Sequence, residues 1–344
     1  MVTNLGKPIP TLVITGPLGV GKTTVITHLL AHKPVAENWV VLLNEFSDAG
    51  IDALTVAAAA RGAYDVRMVP GGCLCCAGED DFRRNLRDLI DHVHPDRIIV
   101  EPSGIGHPTG IVDELLGYVA QGALVLERVI GLIDPQRLLA FEADREEPAR
   151  AAIEISDVLV MTKSDSATVA ERADFERHAA ALFPSKIWVG AITQGKLPES
   201  AWHTTPSTAA RISTHIHAHS HNDLLPSDAI TTAKKTPAVV VGLGERLEFA
   251  HLGRHGARWC FPRSIAFSES RVLALLSAEP ATERIKAVLR IDEDEWVLVQ
   301  RAAGRIEMQS TAWRRDNRIE VLGMVGVAWD AEYWDNLWLR CMSG

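Results

Sequence analysis

Eight residues near the amino terminus, Gly16-Pro17-Leu18-Gly19-Val20-Gly21-Lys22-Thr23, have the spacing G-x-x-x-x-G-K-[ST] of a phosphate-binding loop. Glycines there let successive backbone N–H groups curl round an anion, and the helix that follows turns its N-terminus toward it. Lys22 would reach the β- and γ-phosphates of a nucleoside triphosphate, and the Thr23 hydroxyl would bind Mg²⁺. A chance match in a glycine-rich turn is the plain alternative. The apolar run Leu12-Val13-Ile14-Thr15 before the loop and the helical spacing of Thr24–Leu30 after it argue against chance.

Two further segments place polar groups at the ends of apolar runs. Ile98-Ile99-Val100-Glu101-Pro102-Ser103-Gly104 ends a strand in a carboxylate. Glu101 would hold metal-bound water there and the Gly104 N–H would contact a γ-phosphate, although an ordinary strand exit looks the same. Thr162-Lys163-Ser164-Asp165 is the second. A carboxylate at Asp165 can accept from the ring N–H and exocyclic amine of guanine, whereas adenine has no donor at its ring nitrogen. Lys163 would lay its aliphatic stem on the base.

Soft-metal chemistry is concentrated in Gly71-Gly72-Cys73-Leu74-Cys75-Cys76. Three thiolates on one tight turn can converge on Zn²⁺ or a similar ion, and the spacing is not that of a C-x-x-C redox pair. Glu45, His107 or a water are open candidates for the fourth ligand. The acidic stretch Asn44–Asp52, with Glu45, Asp48 and Asp52, stands where a nucleotide-sensing switch would lie; a solvated acidic loop is the bland alternative. His215, His217, His219 and His221 alternate with other residues, which reads either as a loose metal-collecting tract or as a polar linker.

The elements that must carry these motifs follow from apolar spacing. Strands are expected at Thr11–Thr15, Trp39–Leu43, Tyr64–Val69, Arg97–Glu101, Arg128–Asp134, Val158–Thr162 and Lys186–Val189, with helices such as Phe82–Val93 and Thr168–Leu182 between them. That alternation implies an α/β fold, a doubly wound and mostly parallel sheet. The pattern lapses into Pro, Ser, Thr, Ala and His around Gln194–Thr236. Beyond it, strand-like runs at Ala238–Leu243, Ser264–Phe267, Trp296–Gln300 and Arg305–Gln309 join helices near Arg271–Ser277 and Asp330–Arg340 in a smaller α+β domain. On the last helix Trp329, Tyr333, Leu337 and Trp338 are expected to share a core or partner face. The boundaries read as 1–205, a His-containing linker at 206–236, and 237–344.

With 344 residues, 47% hydrophobic, the chain is long enough for two domains and too apolar for disorder. Its formal charge of -9 argues against nucleic acid as a partner. No run is long and apolar enough for a membrane span, and no secretory leader is visible. Five cysteines are too few for a disulfide scaffold, so the expected compartment is the reducing cytoplasm.

Together, the phosphate loop, the Asn44-Glu45-Phe46 segment, the G-G-C-x-C-C motif and the strand ending in Glu-x-x-Gly occur in an order that resembles the CobW-like P-loop metallochaperone GTPases. Glu101–Pro108 and Ser310–Asp316 look most like the YeiR-type zinc-binding GTPase branch, so the likeness covers nearly the whole chain. It implies a P-loop NTPase domain followed by a CobW-type C-terminal domain. It carries over Gly16 to Thr24 (Gly16, Gly19, Gly21, Lys22, Thr23 and Thr24), Asn44 and Glu45, the three cysteines, Glu101, Gly104, Lys163 and Asp165 as site residues. Thr162 stands where the family has Asn, Pro102 where Thr or Ser is commoner, and Ser47 for Gly. The implied activity is hydrolysis of GTP to GDP and phosphate with Mg²⁺, slow and stimulated by metal or client, coupled to delivery of Zn²⁺ to a metal-requiring client protein. A metal-sequestering or assembly factor that uses nucleotide only as a conformational label is the alternative. An ATP-dependent small-molecule kinase is a weaker third, since no acceptor pocket is legible. Whether the chain forms a homo-oligomer is open at this level.

Overall fold

A computed structural model of the chain describes residues 7–45, 64–70, 78–102, 108–135, 147–203, 239–241, 244–251, 254–278, 282–291, 295–302 and 304–343. The chain divides into two compact units, Met1–Pro206 and Ser207–Gly344.

The first unit is built on seven parallel strands: β1 Ile9–Thr15, β2 Trp39–Glu45, β3 Tyr64–Pro70, β4 Arg97–Glu101, β5 Leu124–Ile133, β6 Val158–Met161 and β7 Trp188–Ala191. Their order in the sheet is β3-β2-β4-β1-β5-β6-β7. The helices described are α1 Lys22–Ala31, α2 Gly78–Asp88 (continued by a π turn, Leu89–Val93), α3 Pro108–Ala120, α4 Glu147–Ile155, α5 Val169–Ala181 and the single turn α6 Glu199–Trp202. Central strands such as β4 and β6 are buried along their whole length, as in a parallel sheet covered on both faces. Ile14, Val41, Ile99, Leu132 and Val160 pack with Val25, Ile26 and Leu29 of α1 on one side. Ile133, Leu159 and Met161 pack with Ile153 of α4 and Phe175 of α5 on the other. A capping box starts α5, in which Thr168 and Glu171 exchange hydrogen bonds.

The second unit holds a seven-stranded antiparallel sheet in the order β13-β12-β11-β14-β10-β9-β8. Its strands are β8 Val239–Val241, β9 Gly244–His251, β10 Arg254–Pro262, β11 Thr282–Ile291, β12 Glu295–Ala302, β13 Arg305–Ser310 and β14 Asp316–Gly323, with helices α7 Glu269–Ala278 and α8 Ala331–Cys341. Trp259, Phe261, Leu289, Val299 and Val321 of the sheet form one core with Leu276, Trp334 and Trp338 of the helices.

Two expectations are corrected here. Ser264–Phe267 is not a strand: it is a turn whose end, Phe267, makes isolated bridges to Ile291 and Met342. Trp338 is buried and Trp329 and Leu337 pack against the same core as expected, but the buried stripe of α8 is Ala331, Trp334, Asp335, Trp338 and Cys341, and Tyr333 is 46% exposed. The rotation has a polar cause. Asp335 is drawn inward because its carboxylate pairs with Arg246 and accepts from Trp259 Nε1 at 2.8 Å. Among the described residues no helix is long and apolar enough to cross a membrane.

Candidate nucleotide and metal site

Because all seven strands of the first unit run the same way, their carboxyl ends share one edge. Read across the sheet, that edge carries the ends of β3, which precedes Cys73, of β2 at Glu45, and of β4 at Glu101. Then come the glycine loop after β1, Asp134 after β5, Thr162–Asp165 after β6 and Thr193–Lys196 after β7. β1 lies between β4 and β5, where the winding of the chain reverses, and open α/β sheets bind ligands at such a point.

The loop is shaped by its glycines. Gly16 has φ +147°, and a Cβ on it would stand 2.6 Å from the Leu132 carbonyl oxygen, so only glycine lets the chain turn this close to β5. Gly19 and Gly21 have φ +75° and +104° with open space around them; there backbone conformation alone requires glycine. Gly21 caps α1 with no side chain, and the first turn of α1 holds no acidic residue, so the helix start suits an anion. The buried Lys22 ammonium donates to the carbonyls of Gly16 at 3.0 Å and Pro17 at 3.3 Å, and lies 3.8 Å from Glu101 Oε1. It is therefore folded over the loop that a phosphate would fill. Thr23 is partly exposed and Thr24 exposed in the first turn. With Glu101, the Thr23 hydroxyl makes an oxygen-only donor set, the chemistry Mg²⁺ accepts.

The β6 loop is tied down at each residue but its last. Thr162, 4% exposed, donates its hydroxyl to the Val20 carbonyl at 2.7 Å and the Ile133 carbonyl at 3.2 Å. The hydroxyl of this residue, which stands where Asn is usual, thus ties the base loop to the phosphate loop. Lys163 adopts φ +50° and its Nζ donates to Asp134 Oδ2 at 2.6 Å. Ser164 N donates to Ile192 O at 3.2 Å, and Arg172 of α5 donates to the Ser164 carbonyl. Asp165 is exposed.

Two participants on this edge escaped sequence reasoning. Asp134 reads in sequence only as the last residue of a strand; a polar residue between the apolar run Val129–Ile133 and Pro135 is the available signal. The loop after β7 reads in sequence only as the start of the low-complexity stretch Gln194–Thr236. Gln194 and Gly195 have φ +51° and +72°, and a Cβ on Gly195 would meet the Thr24 carbonyl at 2.5 Å, so this loop rests on the start of α1. Partial burial, then the charges of His32 and of Lys196 from this loop, lower the pKa of His28 on α1. The Gln-Gly pair at a strand exit was the signal.

Cys73, Cys75, Cys76, Asp48, Asp52, Gly104, His107, the histidines from His215 to His221 and the stretch 206–236 lie outside the described residues, as does the side chain of Glu45. Among the described residues no three His, Cys, Asp or Glu side chains gather as a metal site. The backbone does set β2 beside β3 with Glu45 opposite Pro70, three residues before Cys73.

The sequence model described as CobW/HypB/UreG, nucleotide-binding domain, matches residues 10–189. The chain is 31% identical to the zinc chaperone YeiR of Escherichia coli (strain K12) over 335 residues, 93% of this chain and 95% of that protein. It is 25% identical over 218 residues to the zinc chaperone CobW of Pseudomonas aeruginosa, 55% of this chain and 58% of that protein. Among solved structures, the Zn(II)-bound YjiA GTPase from E. coli aligns with 98% of this chain and 99% of its own, at 17% identity and a TM-score of 0.42.

Proposed function

We propose a function that starts from one premise: this chain belongs to the CobW/HypB/UreG family. It binds GTP with Mg²⁺, hydrolyses it to GDP and phosphate, and uses that cycle to hold Zn²⁺ and deliver it to a metal-requiring client protein. The naming of similar proteins as zinc chaperones supports the cargo. The observation that carries the nucleotide half is the bond from Thr162 Oγ1 to the Val20 carbonyl, which joins the base loop and the phosphate loop into one site.

On this reading an entering triphosphate draws the Lys22 ammonium away from the Gly16 and Pro17 carbonyls. Thr23 and Glu101 would supply oxygens to Mg²⁺, which would offset charge on the phosphates. The Gly104 N–H meets the γ-phosphate, and Asp165 accepts from the guanine ring N–H and amine. Zn²⁺ is the cargo, held by the thiolates of Cys73, Cys75 and Cys76 with Glu45, His107 or water completing four ligands. Residues 1–205 do this work, 206–236 form the linker, and 237–344 form the second domain; the compartment is the cytoplasm.

Calorimetry with non-hydrolysable GTP and ATP analogues tests the base assignment. Adenine would leave Asp165 with an unpaired acceptor, a cost of about 1–3 kcal/mol, so GTP should bind at least about fivefold tighter. Equal affinities would overturn it.

A further inference from the structure

We propose that Asp134 is a positioning residue of the base subsite: its carboxylate holds the Lys163 side chain as the platform on which the flat face of the base rests. The inference builds on the nucleotide reading above and adds to it a residue that the sequence motifs do not include.

Lys163 is restrained at its backbone and at its ammonium. Its neighbour Thr162 is bonded through Oγ1 to Val20 and Ile133, and its neighbour Ser164 through its N–H to Ile192. Its own backbone sits at φ +50°, a conformation that lysine adopts only when the surroundings impose it. Its ammonium is fixed 2.6 Å from Asp134 Oδ2, inside a pair whose side chains are 49% and 8% exposed. β5 and β6 are adjacent parallel strands, so the lysine reaches back from the end of one across the end of the next, a gap of about 4.8 Å. With both ends anchored, what remains for a ligand is the apolar stem, half open to solvent. Long cationic side chains present such stems as apolar surface once the head group is satisfied elsewhere. The β5 end also lies between the phosphate loop on β1 and the guanine-reading Asp165 past β6, where a base must sit if its phosphates occupy the glycine loop.

A platform under the face of a base is blind to the groups on its edge. That separates Asp134 from Asp165 in a binding experiment with GDP and IDP, which differ by the exocyclic amine. The isosteric Asp134→Asn should weaken both nucleotides by about fivefold or more, the scale of coupling between contacting residues, and keep the wild-type GDP/IDP ratio within about twofold. Asp165→Asn should instead collapse that ratio. The Asp134→Asn variant should raise KM for GTP and leave kcat within about twofold, and Asp134→Glu should recover part of the affinity. Lys163→Ala should weaken GDP by as much, and the Asp134→Asn/Lys163→Ala double variant by no more than either single change. This cycle keeps the proposal falsifiable should Asp134→Asn lose thermal stability. Unchanged affinity in Asp134→Asn, additive effects in the double variant, or a collapsed GDP/IDP ratio in Asp134→Asn would each overturn the proposal while leaving the nucleotide reading intact. A wild-type chain that binds neither GDP nor IDP would overturn both.

Discussion

Thr162→Val exchanges a buried hydroxyl for a methyl of nearly equal size, so the change removes a bond and little volume. The hydroxyl is shared between the Val20 carbonyl at 2.7 Å and the Ile133 carbonyl at 3.2 Å. Ile133 O also accepts from Thr162 N at 2.9 Å and keeps that bond in the variant. The loss therefore falls on Val20 O, inside the phosphate loop. A buried acceptor deprived of its donor costs about 1–3 kcal/mol. If the loop keeps its shape, that cost appears as lost stability. If the loop relaxes toward water, it appears as weaker nucleotide binding, about 5- to 150-fold at 1.4 kcal/mol per decade. Leu18 in the middle of the loop is already exposed, which favours relaxation. We expect GDP affinity to fall at least about fivefold and urea stability to fall by less than about 2 kcal/mol. Thr162→Ser keeps the hydroxyl and should stay near wild type in both assays. Thr162→Val unchanged in both, or Thr162→Ser as impaired as Thr162→Val, would refute the bond as the cause.

Gly16→Ala should lower Tm and abolish phosphate binding, because its Cβ would stand 2.6 Å from the Leu132 carbonyl oxygen; Gly19→Ala, whose Cβ meets nothing, should show only the cost of a left-handed backbone, about 1–2 kcal/mol. Thermal melts with and without GDP separate the two. In the second unit, burial pushes the Glu320 pKa up, but the guanidinium groups of Arg258 and Arg284, each 2.8 Å from the carboxylate, outweigh it and hold the pKa below 4.5. A carboxyl lowered on folding contributes stability above its unfolded value of 4.5 and loses it as pH falls through the folded value. Urea titrations at pH 6 and pH 3 should therefore show a larger drop for wild type than for Glu320→Gln; equal drops would contradict the assignment.

The first unit was legible because parallel strands covered on both faces must be continuous apolar runs, as Ile98-Ile99-Val100 and Val158-Leu159-Val160 are. The strands β9, β10, β11 and β14 escaped notice because their outer positions carry charges that only pairing explains. Arg258 and Arg284 belong to separate strands and meet on Glu320 of a third. The same limit applied at the site. Glycine spacing located the phosphate loop, since the chemistry of glycine is local. The partner of the Thr162 hydroxyl lies 142 residues away, and no spacing rule reaches that far. Asp134 was hidden for the same reason, as its meaning depends on Lys163 across a neighbouring strand. Of the expected core face of α8 only Tyr333 lies outside, because a carboxylate, Asp335, occupies a position that periodicity assigns to an apolar residue.

The central claim is that nucleotide and metal act through one sheet edge, with Glu45 at the end of β2 beside the strand that leads to Cys73. It is tested by titrating Zn²⁺ against a chromogenic chelator with the full-length protein in three states: nucleotide-free, GDP-bound, and bound to a non-hydrolysable GTP analogue. We expect the GDP and GTP-analogue states to differ about 5- to 150-fold in Zn²⁺ affinity, and Zn²⁺ to change the preference for the analogue over GDP by the same factor. Identical Zn²⁺ affinities in all three states would contradict the claim.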